Sequence, residues 1–320
     1  WDIESEIRTL MPMVYYHVWD NYPFPTFNQR YYESNDLIAT ISKVTSDIVQ
    51  NVAPSVREQY IPHAVDSQFF KPLPSEQIEE FRKQFDEHHN TEGKFIFFWN
   101  NRNARRKQSG SLLYWFKDFL DEVGHDKACL IMHTDPKDGY GQDLNYCVAE
   151  LKLDAQQQVL FSTDKISMEQ LAMLYNMADC TINISDAEGF GLATLESLSC
   201  GTPILVNMTG GLQEQVTDGK SMFGIGLQPD SRAVIGSQEV PFIYEDRLNG
   251  KKVASALRNM YSLDPETRQI MGRSGREHVI KNYNFETFNN TWVDILRELH
   301  ETEGSWETRK YKNYRLLEVA

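Results

Sequence analysis

Between residues 94 and 207 short apolar runs alternate with amphipathic helical stretches. The runs at 94–99, 128–133, 158–162, 180–184 and 204–207 read as strands buried on both faces. The stretches between them, 111–123, 144–153, 167–178 and 192–199, have helical spacing. In the first of these, Leu112, Leu113, Phe116, Phe119, Leu120 and Val123 share one face. Strands joined by helices rather than tight turns pair in parallel, with helices covering both faces of the sheet. Ser167 with Gln170 has the spacing of a capping box, and Gly201 followed by Pro203 stops the 192–199 helix.

The flanks are less regular. Residues 14–17 and 37–42 read as buried strands, and 60–62 ends another short segment. Residues 71–75 carry two prolines and read as a linker, and 75–88 as a charged, mostly exposed helix. Residues 223–246 look irregular, with strand-like pieces such as 242–244. The spacing predicts helices at 248–261, 265–282 and 285–302.

A length of 320 residues suits two domains of about 150 residues each. The net charge of −14 disfavours broad nucleic-acid binding, which needs a basic face. No stretch approaches the roughly 18 apolar residues of a membrane span. Cys129, Cys147, Cys180 and Cys200 form no CxxC pair, so reduced thiols and a cytoplasmic location are expected, with no metal site. The sequons at Asn183 and Asn207 fall on buried strands and read as chance matches. The chain opens at Trp1 rather than Met, which leaves room for an upstream piece.

Two constellations carry chemistry. The first runs Ser185-Asp186-Ala187-Glu188-Gly189-Phe190-Gly191-Leu192-Ala193-Thr194-Leu195-Glu196, from a strand end into a helix. Ligands of open α/β sheets bind beyond the carboxyl ends of strands, where this turn falls. Gly189 and Gly191 let backbone amides approach a ligand, and a helix start favours phosphate. Glu188 and Glu196, about two helical turns apart, suit hydroxyls at two separated positions of one ligand. A GxG turn also serves simply to pack a helix on a strand. The second constellation, Asn101-Arg102-Asn103-Ala104-Arg105-Arg106-Lys107, is the densest basic cluster in an acidic chain. At the same sheet edge it would meet a diphosphate, although most charge runs are solvated loops.

Together these residues resemble the retaining glycosyltransferases of family 4, which have the GT-B fold. Glu188 and Glu196 match that family's E-x7-E pattern in its EGFGL…E…CGTP setting, and Arg102 and Lys107 match its Arg and Lys. Gly210-Gly211 with Glu214 matches the GGxxE turn. Residues 61–66 with Phe69-Phe70 match the interdomain segment, with Ala64 in place of the usual glycine. The resemblance covers about residues 12–300.

It implies an α/β protein of two Rossmann-like domains facing a cleft. A partial N-terminal acceptor-side domain with its linker would occupy 1–75, a nucleotide-sugar domain 76–284, and helices crossing back to the N-terminal part 285–320. The implied reaction is metal-independent, retaining transfer from a nucleotide-diphosphate sugar to a carbohydrate, lipid or protein hydroxyl, with no cofactor and no nucleic-acid partner. Membrane contact through a lipid acceptor has no basic amphipathic helix to support it. Arg102 and Lys107 would bind the diphosphate, Glu188 the donor sugar and Glu196 the ribose. Gly189, Phe190, Gly191, Leu192 and Thr194 would line the donor site. His17 resembles the acceptor-side histidine of the family, and equally an ordinary histidine at a strand end. Only about 70 residues precede the linker, so the first strands and a glycine-rich loop of the N-terminal domain are expected to be missing, the chain being either trimmed or reduced. The rival functions are nucleotide-sugar epimerisation on the same fold and nucleotide-sugar binding without turnover.

Overall fold

The apolar runs from residue 94 onward become one parallel sheet in a computed structural model that describes residues 1–310. Its strands are β4 (Phe95–Asn100), β5 (Ala128–His133), β6 (Val159–Ser162), β7 (Cys180–Asn183), β8 (Ile204–Asn207) and β9 (Gly224–Leu227). Their order across the sheet is β6-β5-β4-β7-β8-β9. The order reverses between β4 and β7, so the loops that leave these two neighbours diverge and open a crevice. Alternation along β4 divides the core. Phe95, Phe97 and Trp99 pack with Leu112, Phe116 and Leu257 on one face, and Ile96 and Phe98 with Tyr175, Leu195 and Leu198 on the other.

Strand β9 lies in the segment expected to be irregular. Its sequence, Gly-Ile-Gly-Leu, has no apolar run, and the requirement it meets is steric. Gly224 pairs with Ile204 so closely that a Cβ would lie 1.8 Å from the Ile204 carbonyl oxygen. The following segment is also ordered. Strands β10 (Ser231–Ile235) and β11 (Ile243–Arg247) form an antiparallel hairpin.

Helices α4 (Ser75–His89), α5 (Ser109–Val123), α6 (Leu144–Glu150), α7 (Met168–Met177), α8 (Leu192–Ser199), α9 (Leu212–Val216), α10 (Gly250–Ser262) and α11 (Pro265–Asn282) accompany the large sheet, and α12 (Phe285–Glu303) follows them. The capping box at Ser167 and Gln170 is formed at the start of α7.

Upstream lies a second parallel sheet, β1 (Val14–His17), β2 (Leu37–Thr40) and β3 (Glu58–Tyr60), with helices α1 (Glu4–Ile7), α2 (Gln29–Glu33) and α3 (Lys43–Val52). The strand expected to run to residue 42 stops at Thr40, because Ser42 caps α3 by accepting a hydrogen bond from the Thr45 amide at 3.2 Å. Ile295 and Leu299 of α12 pack on Leu37, Ala39 and Ile61 of this sheet. Phe285 and Leu296 are exposed, and Trp292 meets Tyr16 edge-on at 5.5 Å. Residues 311–320 of the expected C-terminal part lie outside the described residues.

Candidate active site at the switch point of the large sheet

The turn between β7 and α8 is held from below by a second turn. Gly210 has φ of +47°, and a Cβ there would lie 1.8 Å from the Glu188 carbonyl oxygen. The Gly211 amide donates to that same oxygen at 3.0 Å. Gly191, with φ of +94°, turns the chain into α8 against Leu212. Only glycine meets these combined demands of left-handed backbone and close approach. The Glu188 side chain is thereby fixed inward, where its carboxylate pairs with the Lys107 ammonium, both groups being buried. Asn183 Nδ2 donates to Glu188 Oε2 at 3.3 Å, and Ser185 Oγ lies 3.4 Å from it. Burial pushes the Glu188 carboxyl up, but Lys107, Arg106 and Asn183 outweigh it and hold the group below its ordinary pKa.

The basic loop after β4 separates into different roles. Arg102 is exposed, bidentate on Asp138 at 2.6 and 3.2 Å, and stacked over the Tyr140 ring. It does not meet Lys107 and Glu188. Arg105 is bidentate on Glu245 at 2.8 and 2.5 Å. Arg106 donates to the Ala187 carbonyl at 2.6 Å, and its own carbonyl accepts from the Asp186 amide at 2.8 Å. Asp186 also accepts from Gln108 and from Arg247, and burial pushes its pKa up to about 6.

Glu196 stands two residues past Thr194, on the side of α8 that faces β4. It accepts from the Tyr175 hydroxyl at 2.8 Å, which in turn accepts from Asn100 Nδ2 at 2.8 Å. Burial raises the Glu196 pKa to about 7, against the Tyr175 hydrogen bond. Thr194 is occupied within the protein, its hydroxyl 2.8 Å from the Gly191 carbonyl and 2.7 Å from Gln215 Oε1. Phe190 is buried with its ring edge toward His63 and Tyr283.

A cavity of about 490 Å³ lies between the two sheets and is lined by Gly189, Phe190, Gly191 and Leu192, which face Asp20, His63 and Arg106. His17 does not line it. That imidazole is buried, 2.7 Å from the Tyr32 hydroxyl through Nε2, and burial lowers its pKa to about 4. Asp20 takes the cavity position instead. Burial pushes its carboxyl up to about 6, Glu188 adds to this, and Arg106 and Lys107 oppose it. The sequence signal for Asp20 was its place three residues after the strand-end histidine. The signal for Arg106 was membership of the basic loop. His63 lay in the interdomain segment matched at 61–66, without a role assigned to it, and nothing in the sequence pointed to Glu245. Among the described residues no three His, Cys, Asp or Glu side chains are grouped as metal ligands, and no helix is long and apolar enough to cross a membrane.

A parallel sheet with a carboxylate-bearing glycine turn and a basic loop at its switch point, facing a second parallel sheet across a cavity, is a GT-B-like α/β arrangement. The chain belongs to the family "Glycosyl transferases group 1", whose model matches residues 80–278.

Alpha-monoglucosyldiacylglycerol synthase of Streptococcus pneumoniae is 28% identical over 185 residues, which cover 57% of this chain and 39% of that protein. GDP-mannose-dependent alpha-(1-6)-phosphatidylinositol monomannoside mannosyltransferase of Mycolicibacterium smegmatis is 24% identical over 82% of this chain and 62% of its own length. The chain thus spans less than two thirds of these curated relatives. Among solved structures, Anabaena Alr3699/HepE in complex with UDP-glucose superposes with a TM-score of 0.68 at 17% identity, over 90% of this chain and 72% of that one. Sucrose-phosphate synthase from Thermosynechococcus elongatus gives 0.67 at 22% identity, over 86% and 61%. At such identities the likeness is one of fold.

Proposed function

We propose that this chain is the donor-binding and part of the acceptor-binding portion of a retaining, metal-independent glycosyltransferase. It moves a sugar from a nucleoside-diphosphate sugar to an acceptor hydroxyl. The observation that carries the reading is the buried Glu188–Lys107 pair at the switch point, next to the Gly189–Leu192 turn that lines the cavity between the two sheets. In this reading Glu188 accepts a hydrogen bond from a donor-sugar hydroxyl, and Glu196 holds the ribose diol. The basic loop offsets charge that grows on the departing diphosphate. The glycosidic C–O bond to the diphosphate breaks as the acceptor oxygen bonds to the same face of the sugar. The acceptor proton passes to a departing phosphate oxygen. The two sheets belong to two Rossmann-like domains whose closure excludes water, with β1, β2 and β3 in the N-terminal one. Location in the cytoplasm, where nucleotide sugars and reduced thiols coexist, completes the reading.

Two of the relatives are named for lipid acceptors, so a lipid hydroxyl is the first acceptor class to assay. The primary test is thermal unfolding with UDP, GDP and ADP, on the wild type and Glu196→Ala. A ligand at 100 times its dissociation constant adds about 2.7 kcal/mol of stability. A shift with one nucleotide that Glu196→Ala abolishes supports the reading and names the base. No shift with any of them rejects it. Binding without acceptor-dependent release of the nucleoside diphosphate, in chelator and with divalent cation alike, leaves a nucleotide-sugar-binding protein.

A further inference from the structure

Four basic residues stand in the loop after β4, and the structure neutralises three of them. Arg102 is paired with Asp138 outside the cavity, Arg105 with Glu245, and Lys107 with Glu188. Arg106 forms no ion pair among the described residues. Its guanidinium uses one nitrogen on the Ala187 carbonyl at 2.6 Å, while Nε and the other Nη are not hydrogen-bonded within those residues. Arg106 lines the cavity beside Gly189 and Gly191, facing Asp20.

The position of Arg106 is imposed from β11, a strand for which the sequence showed no role. Glu245 is buried with both oxygens on Arg105, and Oε2 also accepts from Arg247 at 2.9 Å. Arg247 reaches on to Asp186 at 2.5 Å, and the Asp246 amide donates to the Asp186 carbonyl at 2.9 Å. The Asp186 amide closes the circuit on the Arg106 carbonyl at 2.8 Å. Across the cavity, the Tyr244 amide donates to the Tyr22 carbonyl at 2.6 Å, and Asn21 Nδ2 donates to the Tyr244 carbonyl at 2.7 Å. One strand therefore ties the basic loop, the turn after β7 and the Asp20 loop together. The two acids and two arginines of this strap cancel in charge, leaving Arg106 as the loop's one cation without an ion pair among the described residues, with Asp20 and Glu188 as the acids that feel its charge.

We infer that Arg106, held in place by the β11 strap, is the residue that meets the donor's diphosphate in this chain, and that Arg102 lies outside the site. Its planar fork suits two phosphate oxygens, which Lys107, engaged by Glu188, does not offer. This inference rests on the proposed transferase reading and deepens it.

The test is titration of UDP and GDP, with UMP and GMP as controls, into the wild type, Arg102→Met, Arg106→Met and Arg106→Lys. Loss of a charge-assisted pair predicts about tenfold or more weaker diphosphate binding for Arg106→Met, with a smaller loss for the monophosphate. Arg106→Lys falls between wild type and Arg106→Met, and keeps the inference testable if the methionine variant does not fold. Arg102→Met binds the diphosphate as the wild type does. Unchanged diphosphate affinity in the Arg106 variants, or a loss confined to Arg102→Met, overturns the inference and leaves the transferase reading standing. A wild type that binds none of the four nucleotides overturns both.

Discussion

Two titratable groups, the half-buried Glu196 and the buried His17, pull stability in opposite directions with pH. Glu196 has a pKa raised from 4.5 to about 7, so the folded state holds a proton that the unfolded chain releases. Its contribution is complete at low pH and is lost as pH rises through about 7. Glu196→Gln should therefore gain thermal midpoint relative to the wild type between pH 5 and pH 8, about the interval the shift spans. A constant difference across that range would contradict the assigned burial. The same deprotonation generates the carboxylate that holds a ribose, so nucleotide affinity should rise over this interval. His17 shows the reverse sign. Its pKa is lowered from 6.5 to about 4, so its contribution is present above 6.5 and fades as pH falls toward 4. In His17→Phe the loss of stability on acidification should be smaller than in the wild type, and an equal loss would place the imidazole in solvent. Glu188 was legible at this scale because its glycine context is local. His17 was not, because strand position does not say which way a ring turns.

At the scale of elements, buried strands with apolar side chains announced themselves, and strands defined by backbone contact did not. β5 and β8 coincide with the runs seen in the sequence because every residue of Ile204–Asn207 and nearly every residue of Ala128–His133 is buried. β9 escaped because its decisive residue is a glycine chosen for closeness to Ile204. Gly224→Ala places a methyl against backbone that cannot move without breaking the β8–β9 ladder. It should destabilise the protein by about 1–3 kcal/mol, the usual cost of overpacking. Chemical denaturation would measure it, and a wild-type midpoint would mean that β9 does not pair in this register. The β10–β11 hairpin showed only in part, as the strand-like piece at 242–244. Its buried acid, Glu245, is held by Arg105, distant in sequence, as well as by Arg247 two residues on, so the rest read as irregular.

For the whole molecule, one carboxylate joins the two sheets. Glu214, from the turn below the site, accepts from the Lys43 amide at 2.8 Å and from the Tyr60 hydroxyl at 2.6 Å, both on the small-sheet side. Burial raises its pKa, opposed by Tyr60 and the Lys43 amide. Glu214→Ala leaves the first turn of α3 with an unsatisfied amide and frees the small sheet from α9. Calorimetry should then resolve an early transition ahead of the main one. A single transition at the wild-type temperature would show that the remaining links, α12 and the β11 contacts with Asn21 and Tyr22 among them, suffice to couple the two sheets.

The alternation of apolar runs and helices fixed the large parallel sheet, because burial on both faces leaves only one chemistry for its strands. The glycine turn with Glu188 and Glu196 was likewise written locally, since close backbone approach admits few residues. Tertiary structure alone decided which of four neighbouring cations faces the cavity. Each choice depends on a carboxylate elsewhere in the chain: Asp138 for Arg102, Glu245 for Arg105 and Glu188 for Lys107. It also decided that Asp20 rather than His17 reaches the cavity, because successive positions at a strand end turn to opposite sides, which puts the His17 ring in the core and Asp20, three residues on, at the cleft.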